Sequence, residues 1–149
     1  MIIEDKILIN SKPDKVFQFF ESMDENYLQW HKDHICYRYV KGKGLKEGVV
    51  VYFEEKIGDE MLKKTVAYNK IIPNKYIEFV PSNWFTRLFV PKMTFIFNEI
   101  ENQTEFIGQI HMRGIGPIGK YLNRKNIMGI RKHIKEEGIN LKRIIENNI

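Results

Sequence analysis

From residue 35 to residue 113 the chain alternates apolar and polar residues with a period of two, in successive short segments separated by turn residues. The segments lie near 35–41, 48–57, 61–72, 76–81, 92–100 and 103–113. Between them stand K-G-K-G, G-D-E, P-N-K, a longer apolar connection and E-N-Q. Strands joined by such tight turns form an antiparallel meander. The N-terminal I-I-E-D-K-I-L-I supplies one further strand. Two short helices are expected after it. Ser11 and Asp14 form an S-x-x-D capping pattern around Pro13, ahead of Val16, Phe17, Phe19 and Phe20, and Asp24 is placed to cap D-E-N-Y-L-Q-W-H. G-I-G-P-I-G breaks the last strand, and a helix of roughly 25 residues runs almost to the end.

A sheet this long needs cover on its apolar side, and the terminal helix is the one element of sufficient length. The expected fold class is α+β: a curved antiparallel seven-stranded sheet wrapped around a long C-terminal helix, with two short helices after the first strand and space between sheet and helix. A chain of 149 residues fits a single domain, 1–149, with room for a core and a cavity.

Composition narrows the function classes. The net charge of +5 raises nucleic acid as a partner. The lysines are spread along the chain and interleaved with acids, and the densest basic run (Lys120, Arg124, Lys125, Arg131, Lys132, Lys135) reads as the solvated face of the last helix. No zinc-finger or RNP-type motif is present, so no nucleic-acid partner is expected. No apolar run approaches a membrane span, so no stable membrane insertion is expected. Met1–Ile7 has no leader pattern, and the one cysteine, Cys36, suits a reducing compartment, so the expected location is cytoplasmic.

Two acids fall where water should be scarce. Ile130, Ile134, Leu141, Ile144 and Ile145 form one stripe of the last helix; Glu137 projects into it and His133 lies at its edge, one turn earlier. On the strand V-V-V-Y-F-E-E-K-I, Glu55 shares a face with Val49, Val51, Phe53 and Ile57. Two carboxylates in one interior repel each other and resist desolvation. A shared cation resolves both. W-H-K-D-H, Trp30 to His34, supplies imidazoles, and His34, Glu55, His133 and Glu137 make a two-histidine, two-carboxylate set suited to zinc, and also to manganese or ferrous iron. His31 is the spare ligand if His34 points away. A buried His–Glu ion-pair network is the other way to match these charges.

The element order, with S-K-P-D-K-V-F-Q-F-F opening the first helix, W-H-K-D-H after the second and a closing terminal helix, resembles the START-like (SRPBCC) superfamily. The resemblance implies the helix-grip fold shared by polyketide cyclases, lipid-transfer domains and pollen-allergen-like ligand binders. H-x-x-x-E-G-x-N-L on the last helix, W-H-x-D-H upstream and the strand E-E pair locally resemble the metal-binding domain of the diacetylphloroglucinol and phloretin hydrolases. That likeness implies His34, Glu55, His133 and Glu137 as zinc ligands, and metal-dependent hydrolysis of a carbon–carbon bond between an acyl group and a phenolic ring.

Tyr27, Trp30, Tyr37, Tyr39 and Tyr68 could line a cavity with polar tips available. In P-S-N-W-F-T-R-L-F-V-P, Trp84, Phe85, Leu88 and Phe89 either pack inward beneath the helix or gate the pocket and touch a membrane or partner. Tyr27, Trp30, Tyr37, Trp84 and Phe85 are the expected ligand contacts. The resulting expectation is a protein that holds a small, mostly apolar, aromatic or polyketide-like molecule, with a divalent metal giving hydrolase activity on a carbonyl substrate. The alternatives are a non-catalytic hydrophobic-ligand or lipid carrier with the acids ion-paired internally, and a membrane-associated transfer module using the 81–91 segment.

Overall fold

The computed structural model describes residues 1–113 and 124–147. The element order is β1 (Ile2–Ile9), α1 (Pro13–Glu21), α2 (Met23–Trp30), β2 (His34–Lys41), β3 (Val50–Ile57), β4 (Glu60–Ile72), β5 (Tyr76–Pro81), α3 (Trp84–Phe89), β6 (Lys92–Ile100), β7 (Gln103–His111) and α4 (Arg124–Asn147). The strands form one seven-stranded sheet in the order β1-β7-β6-β5-β4-β3-β2, antiparallel throughout. The expected helix-grip architecture is therefore present. The predicted break at 114–119 and the basic residue Lys120 lie outside the described residues.

Consecutive strands β1 and β2 stand at opposite edges of the sheet, so α1 and α2 must cross it. Their spacing explains how they hold on. Val16, Phe17, Phe19 and Phe20 are buried on one side of α1. Phe20 meets Trp30, Phe95, Phe97 and Phe106 at ring separations of 4.9–5.6 Å, the distance range of favourable aromatic pairs. Two capping expectations fail. The residue before α1 is Lys12, with no side-chain cap, because Pro13 already presets the first turn and lacks an N–H. The second helix begins at Met23, one residue before Asp24, which sits in its first turn and accepts from the Tyr39 hydroxyl at 3.4 Å.

The long helix α4 rests chiefly on β1. Leu141 is fully buried, and a Cβ at Gly138 would stand 3.3 Å from an Asp5 carboxylate oxygen and 3.4 Å from the Ile7 side chain. Glycine thus lets the helix approach the sheet edge closely. Trp30 Nε1–H donates to the Glu137 carbonyl, and Asn140 donates to the Trp30 carbonyl, both at 2.9 Å. These two bonds tie the end of α2 to the middle of α4.

The strand segments match expectation to within two residues at each end. The apolar 81–91 connection contains a short helix, capped by Asn83 Oδ1, which accepts from the Phe85 and Thr86 amides. Among its large side chains Phe89 alone is buried, while Trp84, Phe85 and Leu88 are exposed. Inward packing of the whole segment is thus not found.

Candidate functional site

A cavity of about 510 Å³ lies between the concave face of the sheet and α4, within the size range of small-molecule sites. Its walls are mostly apolar, with Phe20, Val51, Phe53, Val66, Phe79 and Phe95 among them. Tyr27, Trp30 and Tyr37 line it as expected. Trp84 and Phe85 do not: they are 71% and 51% exposed on the outer side of α3, while Asn83 and Thr86 of the same segment face the cavity. The Asn83 cap sets that rotation of the helix.

At one end of the cavity the structure brings His34, Glu55, His133 and Glu137 together, each offering a donor atom within 4.8 Å of the others. His34 and Glu55 face each other directly across the β2–β3 ladder. They do so because of a bulge. Tyr37 opposes Phe53, yet between His34 and Cys36 the register slips by one residue. Simple alternation from Tyr37 would turn Ile35 inward. Instead Ile35 is exposed and His34 is buried. α4 supplies the other two groups one helical turn apart, with His133 Nε2 3.0 Å from Glu137 Oε1 and 3.2 Å from Glu55 Oε2.

Sequence reasoning misses Lys64, although Leu62, Lys64, Val66 and Tyr68 alternate on one face of β4. Lys64 reaches Glu55 Oε1 at 3.0 Å. One oxygen of Glu55 is thereby held by the ammonium. The other, Oε2, faces the imidazoles and lies 3.4 Å from the Tyr27 hydroxyl. Burial alone would raise the Glu55 pKa, but Lys64 and His133 overcome it and hold the carboxyl well below its usual range. Burial would likewise depress His133. The Glu137 and Glu55 carboxylates beside it outweigh that and lift it to about 10.

His34 is set differently. Its Nδ1 lies 2.8 Å from the Tyr27 carbonyl, which can only accept, so Nδ1 carries the proton. Its ring stacks on Tyr27 at a centroid distance of 3.9 Å. The free Nε2 is buried without a hydrogen-bond partner, 3.6 Å from Glu55 Oε2 and 3.9 Å from Glu137 Oε2. Neither a lone pair nor an N–H is satisfied at those separations. A carbonyl-bound Nδ1 behind a free Nε2 is the arrangement that orients metal-ligating histidines. Bonds of about 2.0 Å in a tetrahedron set ligand atoms about 3.3 Å apart, and the four N···O separations here are 3.0, 3.2, 3.6 and 3.9 Å. The donor set fits a small divalent cation.

His31 lies outside this four-residue set but shares a second possible ligand group with Asp33 and His133. Its Nδ1 accepts from the Asp33 amide at 2.9 Å, so its proton sits on Nε2, 3.8 Å from Glu136 Oε2. At that separation its Nε2 too is buried without a hydrogen-bond partner. Burial, reinforced by His133 and His34, lowers its pKa. Cys36 lies on the other face of β2, donating to Glu54 Oε2 at 3.3 Å. His111 is partly buried and contacts Gln109 at 3.2 Å, away from the centre.

No protein-family model matches the chain, and no curated protein does. Solved structures do match over nearly the whole length. A protein from Thermus thermophilus superposes with a TM-score of 0.78 at 10% identity, covering 99% of both chains. The major latex-like protein 151 of Panax ginseng gives 0.75 at 10% identity, over 96% of this chain and 95% of that one. The aromatase/cyclase Zhui of Streptomyces sp. R1128 gives 0.72 at 12% identity, over 98% and 93%. At such identities the likeness is one of fold, the helix-grip fold. No described helix is long and apolar enough to cross a membrane.

Proposed function

We propose that this protein binds a small, mostly apolar aromatic or polyketide-like molecule between its sheet and α4, and that His34, Glu55, His133 and Glu137 hold a divalent metal, zinc by donor type, which makes it a hydrolase for a carbonyl substrate. The cavity's size and apolar walls support the first half, as does the shared fold with an aromatase/cyclase. The second half rests on one observation: His34 Nε2, buried and unpartnered, faces two carboxylate oxygens while its other nitrogen is fixed by a carbonyl. Such a cation would polarise a carbonyl oxygen and acidify water beside it. The chain's own groups would do the rest. Lys64 fixes the Glu55 carboxylate, Tyr27 holds the His34 ring by stacking, and the aromatic walls exclude water from the reacting end.

A second reading has its own support. Lys64 and a protonated His133 together balance the charges of Glu55 and Glu137, which suits a carrier without catalysis. Elemental analysis of protein purified without a chelating tag separates the two. The metal reading expects roughly one zinc per chain, lost in His133→Ala and reduced in Glu137→Gln. Metal-free protein that takes up no added zinc, with tight binding of an apolar dye, would leave the carrier.

A further inference from the structure

The cavity has a second polar point, remote from the carboxylates. Tyr37 on β2 and Tyr68 on β4 both line it, and their hydroxyl oxygens meet at 3.0 Å across the intervening β3. Tyr37 opposes Phe53, whereas Tyr68 exchanges backbone hydrogen bonds with Gly48 and Val49, so the bridge passes over Val51. Glu55 and Val51 are four residues apart on that strand, a separation of roughly 13 Å.

The count of protons at this pair does not close. Two phenols bring two O–H donors. One is used between them. Among the described residues neither hydroxyl has any other hydrogen-bond partner, so one O–H of this part-buried pair is left over at the cavity wall. Burial pushes both phenols to higher pKa, Tyr68 to about 12, which keeps them protonated donors. A donor at the wall of a mostly apolar cavity, with no protein acceptor, is free to bond a ligand oxygen. A continuous row of rings connects the two ends: His34 stacks on Tyr27 at 3.9 Å, and Tyr27 packs on Tyr37 at 5.2 Å.

From this geometry we infer that the Tyr37–Tyr68 pair is a ligand-recognition point that donates a hydrogen bond to a neutral oxygen acceptor, such as a ketone or phenol oxygen, on the end of an aromatic ligand remote from the carboxylates. This rests on the reading of the cavity as a ligand site. It adds a specificity: the ligand is elongated and carries oxygen at both ends, one for the His/Glu centre and one for the tyrosines. The pair also has an unusual redundancy. Removing one hydroxyl frees the other from their mutual bond, so a single tyrosine can still donate.

The test compares two probes of equal shape, 4-acetylbiphenyl and 4-isopropylbiphenyl, by calorimetry on chelator-treated full-length protein. The wild type should bind the ketone about tenfold more tightly, the ratio that one neutral hydrogen bond supplies. In the Tyr37→Phe/Tyr68→Phe double variant the ratio should fall to about one, and at least one single variant should keep most of it. Circular dichroism and thermal unfolding establish that the variants are folded. Should the double variant misfold, Tyr37→Phe and Tyr68→Phe are each compared with wild type, and a preference lost completely in both overturns the redundancy and with it the inference. A wild-type ratio near one, or a preference that survives in the double variant, overturns the inference while the cavity reading stands. No binding of either probe overturns the cavity reading as well.

Discussion

At the scale of single residues, the His/Glu centre is a problem in charge matching, and it makes stability depend on pH in a defined way. In metal-free protein the folded-state pKa of His133 is raised from 6.5 to about 10. A group raised on folding stabilises fully below its unfolded value, and that contribution fades as pH climbs through the folded value. The His133 contribution should therefore decline across pH 6.5 to about 10 and be absent above. Glu55 is lowered on folding, so its contribution is present above its ordinary value of 4.5 and is lost on acidification below that. Denaturant titrations in the presence of chelator should show maximal stability between those limits. A free energy that does not fall from pH 6.5 to 10 would contradict the placement of His133 between two carboxylates.

At the scale of elements, α4 does two jobs: it supplies half of the centre and it roofs the cavity. It comes closest to β1 at Gly138, and Leu141 is its fully buried core side chain. Leu141→Ala should cost about 2–5 kcal/mol by equilibrium unfolding, whereas Ile139→Ala, at a 47% exposed position on the same helix, should cost under about 1 kcal/mol. Equal losses would mean that the helix is not docked through Leu141. Much of this was legible from the sequence. Period-two runs gave the strands, and helical periodicity put Glu137 among isoleucines, because both signals report which face is apolar. Three features were not legible. Whether β2 turns His34 or Ile35 inward depends on a bulge, and alternation favours the wrong residue. Lys64 is visible on the inward face of β4, yet only the packed structure shows that it takes one Glu55 oxygen. The rotation of α3, which leaves Trp84 and Phe85 outside, follows from one side-chain cap that composition does not reveal.

At the scale of the whole molecule, one curved sheet and one helix leave a chamber that the side chains of the described residues do not fill. A ligand that enters it binds the folded state alone, so it must stabilise the protein by mass action. At a hundred times its dissociation constant, 4-isopropylbiphenyl should add about 2.7 kcal/mol, read as a rise in Tm. No rise at saturation would mean that the ligand does not select the folded chain. The slip in β2 has a wider consequence. Ile35 is the surplus residue there, and plain alternation through Tyr37 and Cys36 would turn His34 inward without it. Loss of the Ile35 codon would leave every donor in the chain and restore a regular ladder in which His34 still opposes Glu55. Descendants of this gene should therefore keep the cluster through either replacement or removal of Ile35, provided that His34 and Tyr37 remain.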